Sequence, residues 1–281
     1  MCLQSRTRVN KVALSFREEV GSSLSVFNDS NLILTYNYHS DLCKPYFHPV
    51  NAPNAEGVTN NTPEDNINHH GLWFGWGNVN GIDFWGENAG RITHDNFQNQ
   101  EISECFARII AISNWSTLNG TILMEQTSEI IVHEPLEDQH IIDLNFSFHP
   151  LSGDILLAAS QSSYGLCYRS SYRERQKLIN SDSRIGEWEA NNKHASWCDL
   201  LGLVDNTTVG TAIFDHPSNP RYPSKFTALD EGFGFISPSL TMDEPYTIKA
   251  DEPLYLRYRV LIHLEDLFTF DLWKRYEEYI T

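Results

Sequence analysis

The chain has 281 residues, 41% of them hydrophobic, so it can bury a sizeable core. Its formal net charge is −17, which repels nucleic-acid phosphates and anionic membranes and leaves neutral small molecules such as sugars as natural partners. No run of 18 apolar residues occurs, so a membrane-spanning helix is excluded.

The first twenty residues, "MCLQSRTRVNKVALSFREEV", hold no apolar region followed by a cleavage site. The expectation is a cytoplasmic protein, with a processed secreted form as the alternative. The five cysteines, Cys2, Cys43, Cys105, Cys167 and Cys198, are scattered and form no C-x-x-C pair, so neither a disulfide framework nor a zinc knuckle is expected.

A first strand is predicted in "SNLILTYNYH". It is followed by "KPYFHP", in which Lys44 and His48 sit among prolines that stiffen the backbone and remove donors. Then comes "INHHGLWFGWGNVNGIDFWGENAGRITH", Ile67 to His94, with His69 and His70 adjacent, Trp73, Trp76 and Trp85 between, and Asp83 ahead of Trp85. A core strand has no need of paired histidines, and a solvated loop has no need of three tryptophans. Adjacent strand residues point to opposite faces, so one histidine enters a given cleft unless the backbone bends, and Gly71 permits such a bend.

Further strands are predicted in "GTILMEQTSEIIVHE", "HIIDLNFSFHP", "GDILLAAS", "TTVGTAIFDH" and "EPLYLRYRVLIHLE". In "HIIDLNFSFHP", Leu144, Phe146 and Phe148 alternate with Asn145 and Ser147. In the last, Leu256, Tyr258, Val260 and Ile262 alternate with Arg257, Arg259 and His263. Such period-two patterning marks half-buried strands. Turn signals separate them. Only "EDLFTFDLWKRYEEYIT" has helical spacing, from about Leu267 onward. More than twelve strands and one terminal helix predict an all-β fold, a large antiparallel β-sandwich with one C-terminal helix, in a single domain over residues 1–281.

Polar residues that suit chemistry recur between these strands. Arg169 lies in "GLCYRS" and Asp199 in "ASWCDLLG". The loop "DHPSNPRYP" carries His216, Asn219 and Arg221 on a proline-stiffened frame, a common way to build a site on a scaffold. Each also has a purely structural use. A histidine in a β-protein serves as a hydrogen-bonded fixture, Asp83 caps a turn after "NVNG", the tryptophans fill the core, and Arg169 pairs with a surface carboxylate.

Histidine suits acid–base work near neutral pH, its unperturbed pKa being about 6.5. The expected acid/base is His70, flanked by His48 and His94, with Asp83 orienting one imidazole. Lys44, His69, Trp73, Trp85, Arg169, His216, Asn219 and Arg221 are the expected substrate contacts, at least one of Trp73 and Trp85 lining the cleft with an exposed ring. His48, His70 and His94 are also possible ligands for a divalent metal such as zinc, manganese, iron or copper, although H-E-x-x-H and H-x-H spacings are missing. G-x-S-x-G, P-loop and G-x-G-x-x-G motifs are absent.

The blocks "KPYFHPV", "NHHGLWFGWGNVNGIDFW", "GRITH", "GLCYRS", "ASWCDLLG", "DHPSNPRYP" and "PYTIKADEPLYLRYRVLIH" together resemble a bacterial family labelled methane oxygenase PmoA. The likeness runs through nearly the whole chain, with a departure where His70 is followed directly by Gly71 instead of Arg. A membrane methane oxygenase needs several spanning helices, which this chain lacks. The resemblance implies a β-sandwich of the galactose mutarotase-like kind and, because members commonly sit beside genes for sugar breakdown, a carbohydrate role. That is analogy at the level of fold.

The expected function is therefore an enzyme acting on a sugar or glycoside by hydrolysis, elimination or epimerisation. The alternatives are a non-catalytic carbohydrate-binding sandwich and a metal-dependent oxidoreductase. The expected partner is a small-molecule or oligosaccharide substrate, with no nucleic acid and no membrane.

Overall fold

The computed structural model describes residues 14–53, 57–160, 165–204, 206–230, 232–265 and 271–281. The first strands are β1 (Leu14–Glu19), β2 (Ser23–Asn28), β3 (Asn31–Asn37), β4 (Tyr46–Val50), β5 (Leu72–Gly75), β6 (Gly90–Ile102), β7 (Phe106–Thr117), β8 (Ile122–His133) and β9 (Gln139–Pro150). After them come β10 (Ile155–Leu157), β11 (Gly165–Arg169), β12 (Glu174–Asn180), the one-turn helix α1 (Glu187–Ala190), β13 (Lys193–His194), β14 (Trp197–Val204) and β15 (Thr207–Asp215). The chain closes with β16 (Lys225–Leu229), β17 (Phe235–Ser239), β18 (Tyr246–Ile248), β19 (Leu254–His263) and α2 (Leu272–Ile280).

Of these nineteen strands among the described residues, seventeen form two large sheets, and the strand pairs are antiparallel. One has nine strands in the order β1-β2-β3-β4-β5-β11-β17-β16-β13, the other eight in the order β12-β14-β15-β19-β9-β8-β7-β6, and β10 and β18 form a small ribbon. The sheets face each other through a shared aromatic core. Phe74 meets Phe146 and Phe148 at ring distances of 4.7 and 5.0 Å, and Trp76 meets Phe148 and Trp115. Each such buried large side chain contributes about 1.5–3 kcal/mol. The expected antiparallel sandwich is the observed one.

The alternation predicted for β9 and β19 holds in phase. Leu144, Phe146, Phe148, Leu256, Tyr258, Val260 and Ile262 are buried on the inner face, while Asn145, Ser147, Arg257 and Arg259 look outward. His263 breaks the pattern, buried against Asp199 with its Nε2 3.3 Å from Oδ2. The "GDILLAAS" strand is shorter than its sequence suggests, spanning only Ile155–Leu157. The terminal helix is capped by Asp271, whose side chain accepts from the Lys274 amide. The expected start near Leu267 lies outside the described residues. Among the described residues no helix is long and apolar enough to cross a membrane.

Cys43, Cys167 and Cys198 are free thiols, whereas Cys105 is disulfide-bonded, a single bridge that the scattered cysteines did not signal.

Candidate functional site

The central strands of the nine-stranded sheet sort their side chains by parity. Leu72 and Phe74 of β5, Leu166 and Tyr168 of β11, and Ile236 of β17 enter the core between the sheets. Their neighbours Trp73, Cys167 and Phe235 gather on the opposite, outer face, with Tyr46, Trp85, Leu229 and Phe233 packed around them. The register brings this outer row together, since Trp73 pairs with Tyr46 on one side and Cys167 on the other, and Arg169 pairs with Phe235. Of the polar residues expected near a cleft, Lys44, His69, His70 and Arg169 sit on the same face or on the segments that cross it.

His69 and His70 reach this face through the bend at Gly71. Its φ is +70°, and a Cβ there would lie 2.6 Å from the Phe47 carbonyl oxygen, so no side chain fits. His69 is 5% exposed and surrounded by rings, with centroids 5.1 Å from Trp73, 5.4 Å from Phe235, 5.7 Å from Trp85 and 5.8 Å from Phe233. Its Nδ1 is buried without a hydrogen-bond partner. Burial, reinforced by the nearby Arg169 cation and opposed by Asp65, pushes its pKa down to about 4.

That depression has a consequence for stability. In the unfolded chain the imidazole titrates near ~6.5, so between the two values the folded state binds fewer protons. The stabilisation is present above ~6.5 and is lost as pH falls through about 4. Urea melts at pH 7 and pH 4 are expected to show a loss of as much as ~3 kcal/mol from this one group, and His69→Gln is expected to remove that share of the slope. An unchanged slope in the variant means His69 is not held neutral.

His70 is fixed differently. Its Nδ1 lies 2.8 Å from Asn61 Oδ1, its Nε2 lies 2.7 Å from Glu87 Oε1, and its ring stacks on Tyr46 at 4.8 Å. The same Glu87 Oε1 accepts from the Lys44 ammonium at 2.6 Å, and Lys44 also donates to the Trp85 carbonyl at 2.9 Å. Burial alone would raise the Glu87 carboxyl, but the His70 hydrogen bond and the Lys44 cation outweigh it and hold it below the usual range. Burial lowers Lys44, with Glu87 opposing. Glu87 has a φ of 66°, an uncommon backbone state for a side-chain-bearing residue and one that clusters at functional sites.

Arg169 completes the face. Its Nη2 donates to Asp65 Oδ2 at 2.6 Å, and its guanidinium carbon sits 3.6 Å from the centroid of the Phe233 ring. Its Nε and Nη1 are buried with no partner. Trp73 Nε1, Thr227 Oγ1 and Ser239 Oγ, also on outward positions of this sheet, share that condition. A buried unsatisfied polar group costs about 1–3 kcal/mol, so a concentration of them on one face is the kind that a polar ligand relieves.

Residues 23–273 match the model of DUF6807, a family of unknown function. The chain belongs to that family. The comparisons give no support to the methane oxygenase label that the motifs resemble. Among solved structures, this DUF6807 chain is similar to a candidate mutarotase from Salmonella typhimurium, at 10% identity over 94% of this chain and 97% of that one, with a TM-score of 0.45. No curated protein matches.

The DUF6807 chain brings together Lys44, His69, His70, Trp73, Trp85 and Arg169 from the sequence expectation. His48 is adjacent, its Nδ1 2.9 Å from Thr59 Oγ1, and its pKa is lowered by burial and then by His70. Several expectations are corrected. Among the described residues Asp83 orients no imidazole. Its Oδ1 accepts from the amides of Trp85 and Gly86, which is the turn-capping use. Trp73 is 1% exposed and presents no free ring, and Trp76 belongs to the core between the sheets, so only the half-buried Trp85 fits the expectation of an accessible aromatic.

His94 lies on β6, in the other sheet, against Tyr36, Tyr38 and Phe97. It therefore does not flank His70. Among the described residues no three His, Cys, Asp or Glu side chains gather as a metal-binding group, so the set His48, His70 and His94 is not assembled.

The proline-rich loop is spent on internal bonds. His216 Nδ1 lies 2.7 Å from Ser218 Oγ, Asn219 donates to Asp215 and to the Arg257 carbonyl, and Arg221 donates to the carbonyls of Leu240, Glu244 and Pro245. Glu87, Asn61, Asp65, Phe233 and Phe235 were missed by sequence reasoning. Their only signal was proximity in sequence to the histidine block or to the last turn before β17.

Proposed function

We propose that this protein is a carbohydrate-active enzyme in which the imidazole of His69 moves a proton on a sugar bound at the outer face of the nine-stranded sheet. The observation that carries the reading is the buried, unbonded Nδ1 of His69 inside a box of four aromatic rings, beside two cations. The half-buried rings of Trp85 and Phe233 suit the apolar C–H face of a sugar. A neutral imidazole in such a box can accept a proton from a sugar carbon or hydroxyl, a step shared by hydrolysis, elimination and epimerisation. His70, held between Asn61 and Glu87, is the second proton-carrying group, and His48 stands behind it. Lys44 and Arg169 supply the field that binds substrate oxygens.

A second reading, a sugar-binding sandwich without chemistry, is favoured by the full occupation of both His70 nitrogens and by the low basicity of His69. The test is proton NMR of a panel of neutral and acidic sugars and glycosides incubated with the protein in D2O. The enzyme reading expects time-dependent change in one of them, as solvent exchange of a ring proton, a new vinyl signal, a shifted isomer ratio or a released fragment. Saturation-transfer binding with unchanged spectra throughout establishes the binding module instead.

A further inference from the structure

On the reading of this face as a sugar site, we propose that its ligand carries a carboxylate, which takes the place of Asp65 on Arg169. The argument begins with the inequality of the present pair. The Arg169 side chain is 4% exposed, whereas that of Asp65 is 48% exposed. Asp65 belongs to the segment between β4 and β5 and reaches down to the guanidinium from the solvent side. A carboxylate exchanging with it exposes no new cation and leaves Asp65 to water, where its charge is well solvated.

A guanidinium has five N–H donors. Here one nitrogen, Nη2, meets Asp65, while Nε and Nη1 are buried without acceptors. Once Asp65 leaves, Nη2 together with Nε or with Nη1 forms a two-pronged edge that matches a planar carboxylate. The Phe233 ring lies under the guanidinium, its centroid 3.6 Å from the guanidinium carbon, which shields one side of the fork from water.

The surrounding charge points the same way. In a chain of net charge −17, Arg169 and Lys44 both act on His69. Lys44 already holds Glu87 and the Trp85 carbonyl, so Arg169 is the cation with donors to spare. One guanidinium occupied by one carboxylate fits a monoanionic group better than a phosphate dianion, which draws on more donors. The class of ligand is thus a sugar acid such as a uronate, its carboxylate on Arg169 and its ring against the aromatic box.

Isothermal titration calorimetry with the full chain tests this, using D-glucuronate, D-galacturonate, D-glucose, D-glucose 6-phosphate and succinate as probes. A uronate is expected to bind and glucose to bind weakly or not at all. Asp65→Asn, a change on an exposed side chain, is expected to tighten uronate binding several-fold by removing the internal competitor. Arg169→Lys is expected to weaken it at least ~tenfold by removing the fork. Glucose binding as tightly as the uronates, or uronate affinity unchanged in Asp65→Asn, overturns the carboxylate and leaves the sugar reading standing. Tighter binding of glucose 6-phosphate than of either uronate overturns it in favour of a phosphate. Succinate binding with no sugar bound keeps the carboxylate and removes the sugar reading. No binding of any probe removes both.

Discussion

Replacing Glu87 by alanine is expected to destabilise the fold by about 3 kcal/mol, the lower end of the range for breaking a buried ion pair. The Lys44 side chain is fully buried, and among the described residues its charge is met by Glu87 at 2.6 Å and the Trp85 carbonyl at 2.9 Å. Without the carboxylate, burial wins and the lysine must either lose its proton or draw water into the face. Glu87 is 21% exposed, which softens the loss and is why the lower figure applies. The same substitution frees His70 Nε2, so the tilt of that ring against Tyr46 goes with it. The control is the pair Glu87→Gln and Lys44→Met made together. It removes both charges at similar volume and is expected to recover stability to within ~1 kcal/mol of the parent. Urea melts read both. A loss below ~1 kcal/mol for the alanine variant would mean the pair is screened as a surface bridge is and not held as a buried pair.

The parts of the fold that were legible in the sequence are those where burial on one side alone sets the pattern. β9 and β19 are long and central in their sheet, so alternation of apolar and polar residues survives over their whole length. β10 pairs with the short β18 and otherwise meets a single bridge from Leu157 to Val79, and its apolar run says little about where pairing stops. The paired histidines were legible as unusual, and the bend at Gly71 was too, because both depend on local backbone freedom. Which histidine enters the aromatic box was not, because that depends on Phe233 and Phe235, far along the chain and brought in by β17 pairing with β11. Glu87 was invisible for the same reason, since its partner Lys44 comes from the approach to β4, and its left-handed φ follows from the turn that Asp83 caps. The proline-rich loop misled in an instructive way. Stiff polar segments build sites when their side chains point out, and here Asn219 and Arg221 are stiff because they bond inward to carbonyls.

The largest functional effect is expected at His69. His69→Gln should lower turnover on whichever sugar the NMR panel identifies by about 10²–10⁴-fold, the usual worth of a positioned acid or base. Stability at pH 7 should change little, because the imidazole makes no hydrogen bond through Nδ1 and glutamine retains a polar tip of similar reach. The effect should fall on kcat more than on KM if the ring acts on the reacting atoms and not merely on ground-state binding. The rate should also depend on pH through a group below the ordinary histidine range, since burial and then Arg169 hold His69 down to about 4. A base so depressed stays unprotonated through neutral pH, so the limb of the profile set by His69 should lie on the acid side and disappear in the variant. His70→Gln provides the contrast. It breaks the bonds to Asn61 and Glu87, so it should lower the melting temperature as well as the rate. Should His69→Gln keep full turnover per folded molecule while His70→Gln loses it without loss of stability, the proton is carried by His70, and the aromatic box around His69 serves binding alone.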